Sequence, residues 1–327
     1  FSVITYFAIE KPLRFGKRFR RAKTVGLVAA MLAVGIFGYW LTLTGGAKMW
    51  QPAMKKYEAL SWAQFGLKNS GDRYIGEQKN FTGDCVFNDV GASRTVAVIG
   101  DSHAEAIYPA IAKACADEGV NALRLSAVGM LPFAGIEPDI MMSYLQPPTI
   151  ASALNLLVAK RDIKKVFVVT MGASYFVGNK RGDECYREMT ADKYRWLLQG
   201  TVDLLTAAGK EVFIVSENPL LPFNPRDYLY RHCPAFIAKF LPPSKEMPRV
   251  TRAEMSAYFK DYLDVLAQIK NATIINSLDL FCPNDECVIF DENGYLLYRD
   301  TDHLSRAGAE YQVRKQLAKY LEFPAGE

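Results

Sequence analysis

Ser102 ends an apolar run and opens a polar one in "VAVIGDSHAEAIYP", and near the other end of the chain "YRDTDHLSRAGAE" sets Asp300 three residues before His303. A serine hydroxyl at its ordinary pKa is a poor nucleophile, so it attacks only when a base takes its proton and a third group orients that base. In a tight turn, a carboxylate three residues before an imidazole can reach Nδ1 and leave Nε2 free to accept a proton. Asp302, directly adjacent to His303, is less well placed for this. The chain has three histidines. His103 neighbours Ser102, and adjacent side chains on a helix diverge. His232, in the proline-rich "YRHCP" stretch, reads as a packing or surface histidine. Each motif alone has a plainer reading: Asp101 or Ser102 also suits a helix cap, and His303 a polar loop. The lipase-type Gly-x-Ser-x-Gly elbow is absent, because Ala104 stands where its second glycine would be.

The elements that must position these residues alternate. "RTVAVIG", "VNALRLS", "KKVFVVTM", "EVFIVSE" and "ATIINSL" read as strands. Between and after them, "HAEAIYPAIAKACADEG", "TIASALNLLVAKR", "ADKYRWLLQGTVDLLTAAG", "TRAEMSAYFKDYLDVLAQIK" and "SRAGAEYQVRKQLAKYLEF" carry apolar residues at helical spacing. Gly119 and Gly209 suit helix ends and Ser305 an N-cap. Strands separated by helices predict a three-layer α/β/α domain on a mostly parallel sheet, and in such sheets ligands bind beyond the carboxyl ends of the strands. Ser102 stands at such an end. Its backbone N–H also lies at a helix N-terminus, where a developing negative charge is favoured. Residues 218 to 248 hold seven prolines and read as an excursion suited to substrate contacts.

Charge is concentrated before the domain. Residues 1–46 hold seven basic residues, Lys11 to Lys23, against Glu10; beyond them stand 32 basic and 34 acidic residues, which argues against a nucleic-acid partner. Thr24 to Gly46 is uncharged and, as a helix of roughly 34 Å, reads as a transmembrane helix in preference to a core helix or signal peptide. The positive-inside rule puts the basic loop in the cytoplasm and everything after Gly46 on the other side of the membrane. The predicted divisions are 1–23, 24–46, an irregular extension over 47–93, and the α/β domain over 94–327. The six cysteines, 85, 115, 185, 233, 282 and 287, all come after the apolar run and read as disulfides in that compartment. Cys282 and Cys287, joined by a turn-forming "PND", are the expected local pair. Zinc spacing is missing, so no metal is expected.

Taken together, Gly100-Asp101-Ser102-His103 and Asp300-Thr301-Asp302-His303-Leu304-Ser305, with Gly308 shortly after, resemble the SGNH, or GDSL-like, hydrolase superfamily over about residues 94–322. The resemblance implies Ser102 as nucleophile, His303 as base and Asp300 as orienter. It also implies an oxyanion hole from the Ser102 N–H, a glycine N–H and an Asn side chain. Gly129 in "SAVGMLPF" fits the glycine, but "MGASYF" offers Gly172 and then Ser174 where Asn is expected, which argues against a fast general esterase.

"YFAIEKPLRF" and the basic run resemble the end of the acyltransferase-3 membrane domain. The order of membrane end, basic loop, helix, extension and SGNH domain resembles bacterial O-acetyltransferases of surface polysaccharide, particularly lipopolysaccharide O-antigen. That resemblance implies a membrane-anchored periplasmic domain partnered by an upstream acyltransferase-3 domain, with acetyl-CoA as ultimate donor, no cofactor bound by the domain, and a surface polysaccharide or lipid-linked O-antigen as acceptor. The rival functions are a carbohydrate acetyl esterase and a non-catalytic glycan-binding module. Trp196, Tyr175 and Tyr228 are candidates for stacking on sugars, although aromatics at such spacings are more often core.

Overall fold

A computed structural model describes residues 6–7, 11, 20–43, 83–136, 147–175, 189–225, 228 and 247–323. The chain divides into two units, Phe1–Lys55 and Lys56–Glu327. In the first unit a helix, α1 (Arg20–Leu43), forms where the apolar run stands. Arg20, Arg21 and Lys23 fall in its first turn, and 44–46 lie outside the described residues. Among the described residues no helix is long and apolar enough to cross a membrane, so the spanning helix expected over 24–46 is not supported. The apolar side chains of α1 are nonetheless exposed, Met31 at 75% and Val34 at 72%.

The second unit is the predicted three-layer domain. Its sheet contains β1 (Asp84–Asn88), β2 (Thr95–Gly100), β3 (Asn121–Ser126), β4 (Ile163–Val169), β5 (Glu211–Val215) and β6 (Thr273–Ile275), in spatial order β1-β3-β2-β4-β5-β6. All neighbours are parallel except β1 against β3. Alternation along the strands divides the core. Ala97, Ile99, Val166 and Val168 face one layer, with α3 (Pro147–Ala159), α4 (Ala191–Ala207), α5 (Arg252–Tyr258) and α6 (Lys260–Leu266) contributing. Val96, Val98, Phe167 and Val169 face the other, against α2 (Ser102–Asp117) and the C-terminal helix. This period-two pattern is what burial on both faces of a parallel sheet requires.

Several elements differ from expectation. β1 falls inside the extension read as irregular: five residues of an antiparallel edge strand are too few to show a period. The helix predicted over 251–270 breaks at Phe259, which adopts φ −90°, ψ 3° and separates α5 from α6. The strand expected from "ATIINSL" ends at Ile275, because Asn276 caps α7 (Ser277–Phe281) by accepting from Leu278 N. The last helix runs as α8 (Arg306–Gln312), a π-helical turn over Val313–Leu317, and α9 (Ala318–Leu321). Its cap is as predicted, with Ser305 Oγ accepting from Gly308 N at 3.1 Å.

Cys282 and Cys287 form a disulfide. Cys85 and Cys115 do not follow the expectation: both are buried free thiols, Cys85 on β1 and Cys115 on α2 within the opposite core layer. Burial pushes them up, to about 11 and about 12, with Arg124 and Lys165 acting in the opposite direction. Cys185, Cys233, His232 and most of the proline-rich excursion lie outside the described residues.

Candidate active site

β2 has β3 on one side and β4 on the other, so the chain leaves it in opposite directions and opens a crevice at its carboxyl end. The ends are level: Gly100 pairs with Ser126 and with Val169, and Val169 with Val215. Gly100 is dictated by space, because a Cβ there would collide with Val169 O. Asp101 caps α2 in extended conformation and is buried. Its Oδ1 accepts from His103 N at 2.8 Å, and its Oδ2 accepts from Met171 N and Tyr175 Oη, each at 2.8 Å. The capping reading therefore holds for Asp101 while Ser102 stays available, half-buried, at the first position of the helix.

Ser102 Oγ lies 2.8 Å from His303 Nε2, across 201 residues of sequence. His303 Nδ1 is 3.0 and 3.1 Å from the two oxygens of Asp300. Asp300 Oδ1 also accepts from the backbone N–H of Asp302 (3.1 Å) and His303 (2.8 Å), which folds the Asp-x-x-His segment around one carboxylate. The loop is fixed further by Arg299 N donating to His303 O at 2.8 Å and Leu221 N to Thr301 O at 2.7 Å. Gly308 lets the last helix approach, since a Cβ there would collide with Leu297 O.

Asp302, which its adjacency placed second, has Oδ1 3.3 Å from the same Nδ1. Two carboxylates thus share one imidazole nitrogen. Burial opposes charge on His303, but hydrogen bonds and Coulomb attraction from Asp300 and Asp302 outweigh it and raise the imidazole pKa. The same interactions overcome burial to hold Asp300 well below the usual carboxylate range.

His103 is the residue the spacing argument missed. It diverges from Ser102 but stacks on His303, ring centroids 4.7 Å apart and planes 30° apart. Only the pairing of two distant segments creates this contact, so no local pattern announces it. His103, Asp302 and His303 are the one cluster among the described residues whose atoms lie close enough for a metal ion. Both His303 nitrogens already have protein neighbours, so a metal there would have to displace Ser102 or the carboxylates.

Of the expected oxyanion donors, Ser102 N stands at the N-terminus of α2 and Gly129 turns the chain after β3 with φ +67°. Ser174 lies in a buried 3₁₀ turn, Ala173–Tyr175, after β4. Among the described residues its Oγ has no hydrogen-bond partner. Ala173 N donates to Glu217 Oε2 at 2.9 Å, and Gly172 sits where a Cβ would strike the Tyr262 ring. Of the aromatics, Tyr175 is core, bonded to Asp101; Tyr228 packs edge-on against Phe223, 5.0 Å between centroids; Trp196 alone is open, 69% exposed on α4.

Known proteins give the fold a context. The periplasmic domain of a lipopolysaccharide acetyltransferase from Salmonella ser. Paratyphi A is similar in structure, with 14% identity, a TM-score of 0.52, and 80% of this chain and 90% of that one covered. An acetylxylan esterase from Geobacillus stearothermophilus aligns at 11% identity and TM-score 0.41, over 72% and 97% of the two chains. A putative acylhydrolase from Bacteroides fragilis aligns at 12% and 0.39, over 77% and 98%. No curated protein sequence matches significantly. The SGNH domain family, described as fused to AT3 domains, matches residues 69–318, which take in β1, the whole sheet and both halves of the Ser102–His303 pair. The chain belongs to that family.

Proposed function

We propose that this domain transfers an acetyl group to a hydroxyl of a bacterial surface polysaccharide, such as O-antigen, by way of an acetyl-serine at Ser102. The observation that carries the reading is the chain of contacts from Ser102 Oγ through His303 to Asp300 at the mouth of the sheet. Ser102 Oγ attacks the acetyl carbonyl while His303 Nε2 takes its proton. The tetrahedral oxyanion is held by the N–H groups of Ser102 and Gly129, with the Ser174 hydroxyl standing in for the missing Asn. Collapse expels the donor group, which leaves with the proton from His303. A sugar hydroxyl then attacks the acetyl-serine, gives its proton to His303, and frees Ser102 Oγ, which takes that proton back. Water competes at the second step, so the acceptor must be held close enough for its effective concentration to prevail.

The donor in this reading is acetyl-CoA, relayed by an upstream acyltransferase-3 membrane domain, and the domain works in the periplasm. The basic run Lys11 to Lys23 fits a position beside an anionic membrane surface. The test is complementation of a strain lacking the enzyme, with glycan acetylation read by NMR. Ser102→Ala and His303→Ala are each expected to abolish acetylation. Full acetylation by Ser102→Ala would reduce the domain to a glycan-binding module, and acetyl-ester hydrolysis without any transfer would make it an esterase.

A further inference from the structure

The nucleophile's neighbour carries a second imidazole into the site. His103 is buried in the first turn of α2, its backbone tied to Asp101 and its ring lying against the face of His303. Nε2 of His303 meets Ser102 and Nδ1 meets the two carboxylates, contacts that hold the ring at its edges. Edge contacts alone permit a tilt about the line joining them, and the His103 ring fills the space into which His303 would tilt. Among the described residues His103 Nε2 has no hydrogen-bond partner, and the polar partner of the ring is Asn218.

His103 also lines a small pocket in which apolar side chains such as Ile107 and Leu304 mix with Thr170, Ser216, Glu217 and Asn218. Asn218 Nδ2 donates to Asp302 O at 2.5 Å, joining the floor of the stack to the base loop. We propose that His103 is a positioning residue, whose ring face keeps His303 aligned on Ser102 Oγ and stabilises the positive charge His303 acquires with the serine's proton. The inference rests on reading His303 as the base.

An aromatic face within about 6 Å attracts a cation, provided that the ring is itself uncharged. Burial lowers the pKa of His103, and the positive charge of His303 acts in the same direction. The opposing influences are the carboxylates of Asp101 and Asp302 and a hydrogen bond with Asn218. Charge on the His103 ring is thus disfavoured, the more so when its neighbour becomes an imidazolium.

The test uses the full chain and a fluorophosphonate probe, which reports serine activation without any acceptor sugar. Ser102 Oγ forms a bond to phosphorus, fluoride leaves, and the proton passes to His303. Labelling rates and melting temperatures are compared for wild type, His103→Ala, His103→Asn and His103→Phe. Loss of alignment is expected to slow the Ala and Asn variants about tenfold to a hundredfold. Phe keeps a flat aromatic face and should stay within about threefold of wild type. Wild-type labelling by His103→Ala, or equal slowing of folded Asn and Phe variants, would overturn the proposal; should Ala fail to fold, the Asn–Phe contrast decides. Wild-type labelling by His303→Ala would instead remove the base reading, so the two failures are distinguishable.

Discussion

The turn that presents Ser102 and the loop that presents His303 solve the same positioning problem by different means. The serine turn is buried and held from outside itself: Gly100 is wedged against β4, and Asp101 binds the segment after β4 through Met171 N and Tyr175 Oη. The histidine loop is more open and largely self-contained, with the Asp300 side chain 33% exposed and its Oδ1 gathering two backbone N–H groups and the imidazole. A carboxylate three residues before an imidazole makes its site locally. The nucleophile's site exists only once the sheet has formed. Change in the first region should therefore register mainly as lost stability, and in the second mainly as lost chemistry.

Asp300→Asn tests the second half of that contrast and has the largest expected effect. An amide at this position no longer stabilises the imidazolium and favours the wrong tautomer, which costs about 10,000-fold in comparable triads. Fluorophosphonate labelling of the folded variant should fall on that scale, and the melting temperature should fall as well, because Asp300 loses a stabilising charge. The pH dependence has a definite sign. The base must be neutral to accept the serine's proton, and Asp300 and Asp302 raise its pKa, so wild-type reactivity climbs at a pH above the ordinary histidine range. Asp300→Asn moves that rise to lower pH. An unmoved or alkaline-shifted rise would contradict the paired-carboxylate account.

Asp101→Asn is the converse. The amide can still accept from His103 N, but its NH₂ then faces the Met171 N–H, leaving a buried donor without an acceptor. Such a group costs about 1–3 kcal/mol. Chemical denaturation should show a loss of that size, and in the fraction that stays folded the pH at which labelling rises should be unchanged. A wild-type denaturation midpoint would show that the tie between β2 and β4 is not structural.

The same contrast explains what was legible in the sequence. The Asp300–His303 spacing and the Gly-Asp-Ser at a strand end could be read because each is a local pattern imposed by a turn or a cap. Four of the five predicted strands appear over nearly their full length because β-branched runs bounded by turn residues are equally local. The exception is "ATIINSL", where Asn276 turns the chain into a helix after three strand residues. β1 was not legible, since its place depends on an edge offered by β3. Nor was the second carboxylate contact from Asp302, or the His103 stack, because each depends on how a loop from the end of the chain meets a helix from its start. Tyr175 departs from its sugar-stacking expectation for a similar reason: only the fold brings it to Asp101.

The disulfide sharpens the contrast at its smallest scale. Cys282 and Cys287 close a short loop upstream of the histidine loop, where Arg252 Nη1 donates to Cys282 O at 2.6 Å and Cys287 N to Val250 O at 2.8 Å. Closing a loop this small should contribute about 2 kcal/mol by the chain-entropy relation. If the histidine loop is set by its own carboxylate, Cys282→Ser with Cys287→Ser lowers the melting temperature but leaves the labelling rate and its pH profile unchanged. A slowed rate in the folded double variant would mean that the placing of His303 is inherited from the segment before it, and that this half of the site is no more local than the other.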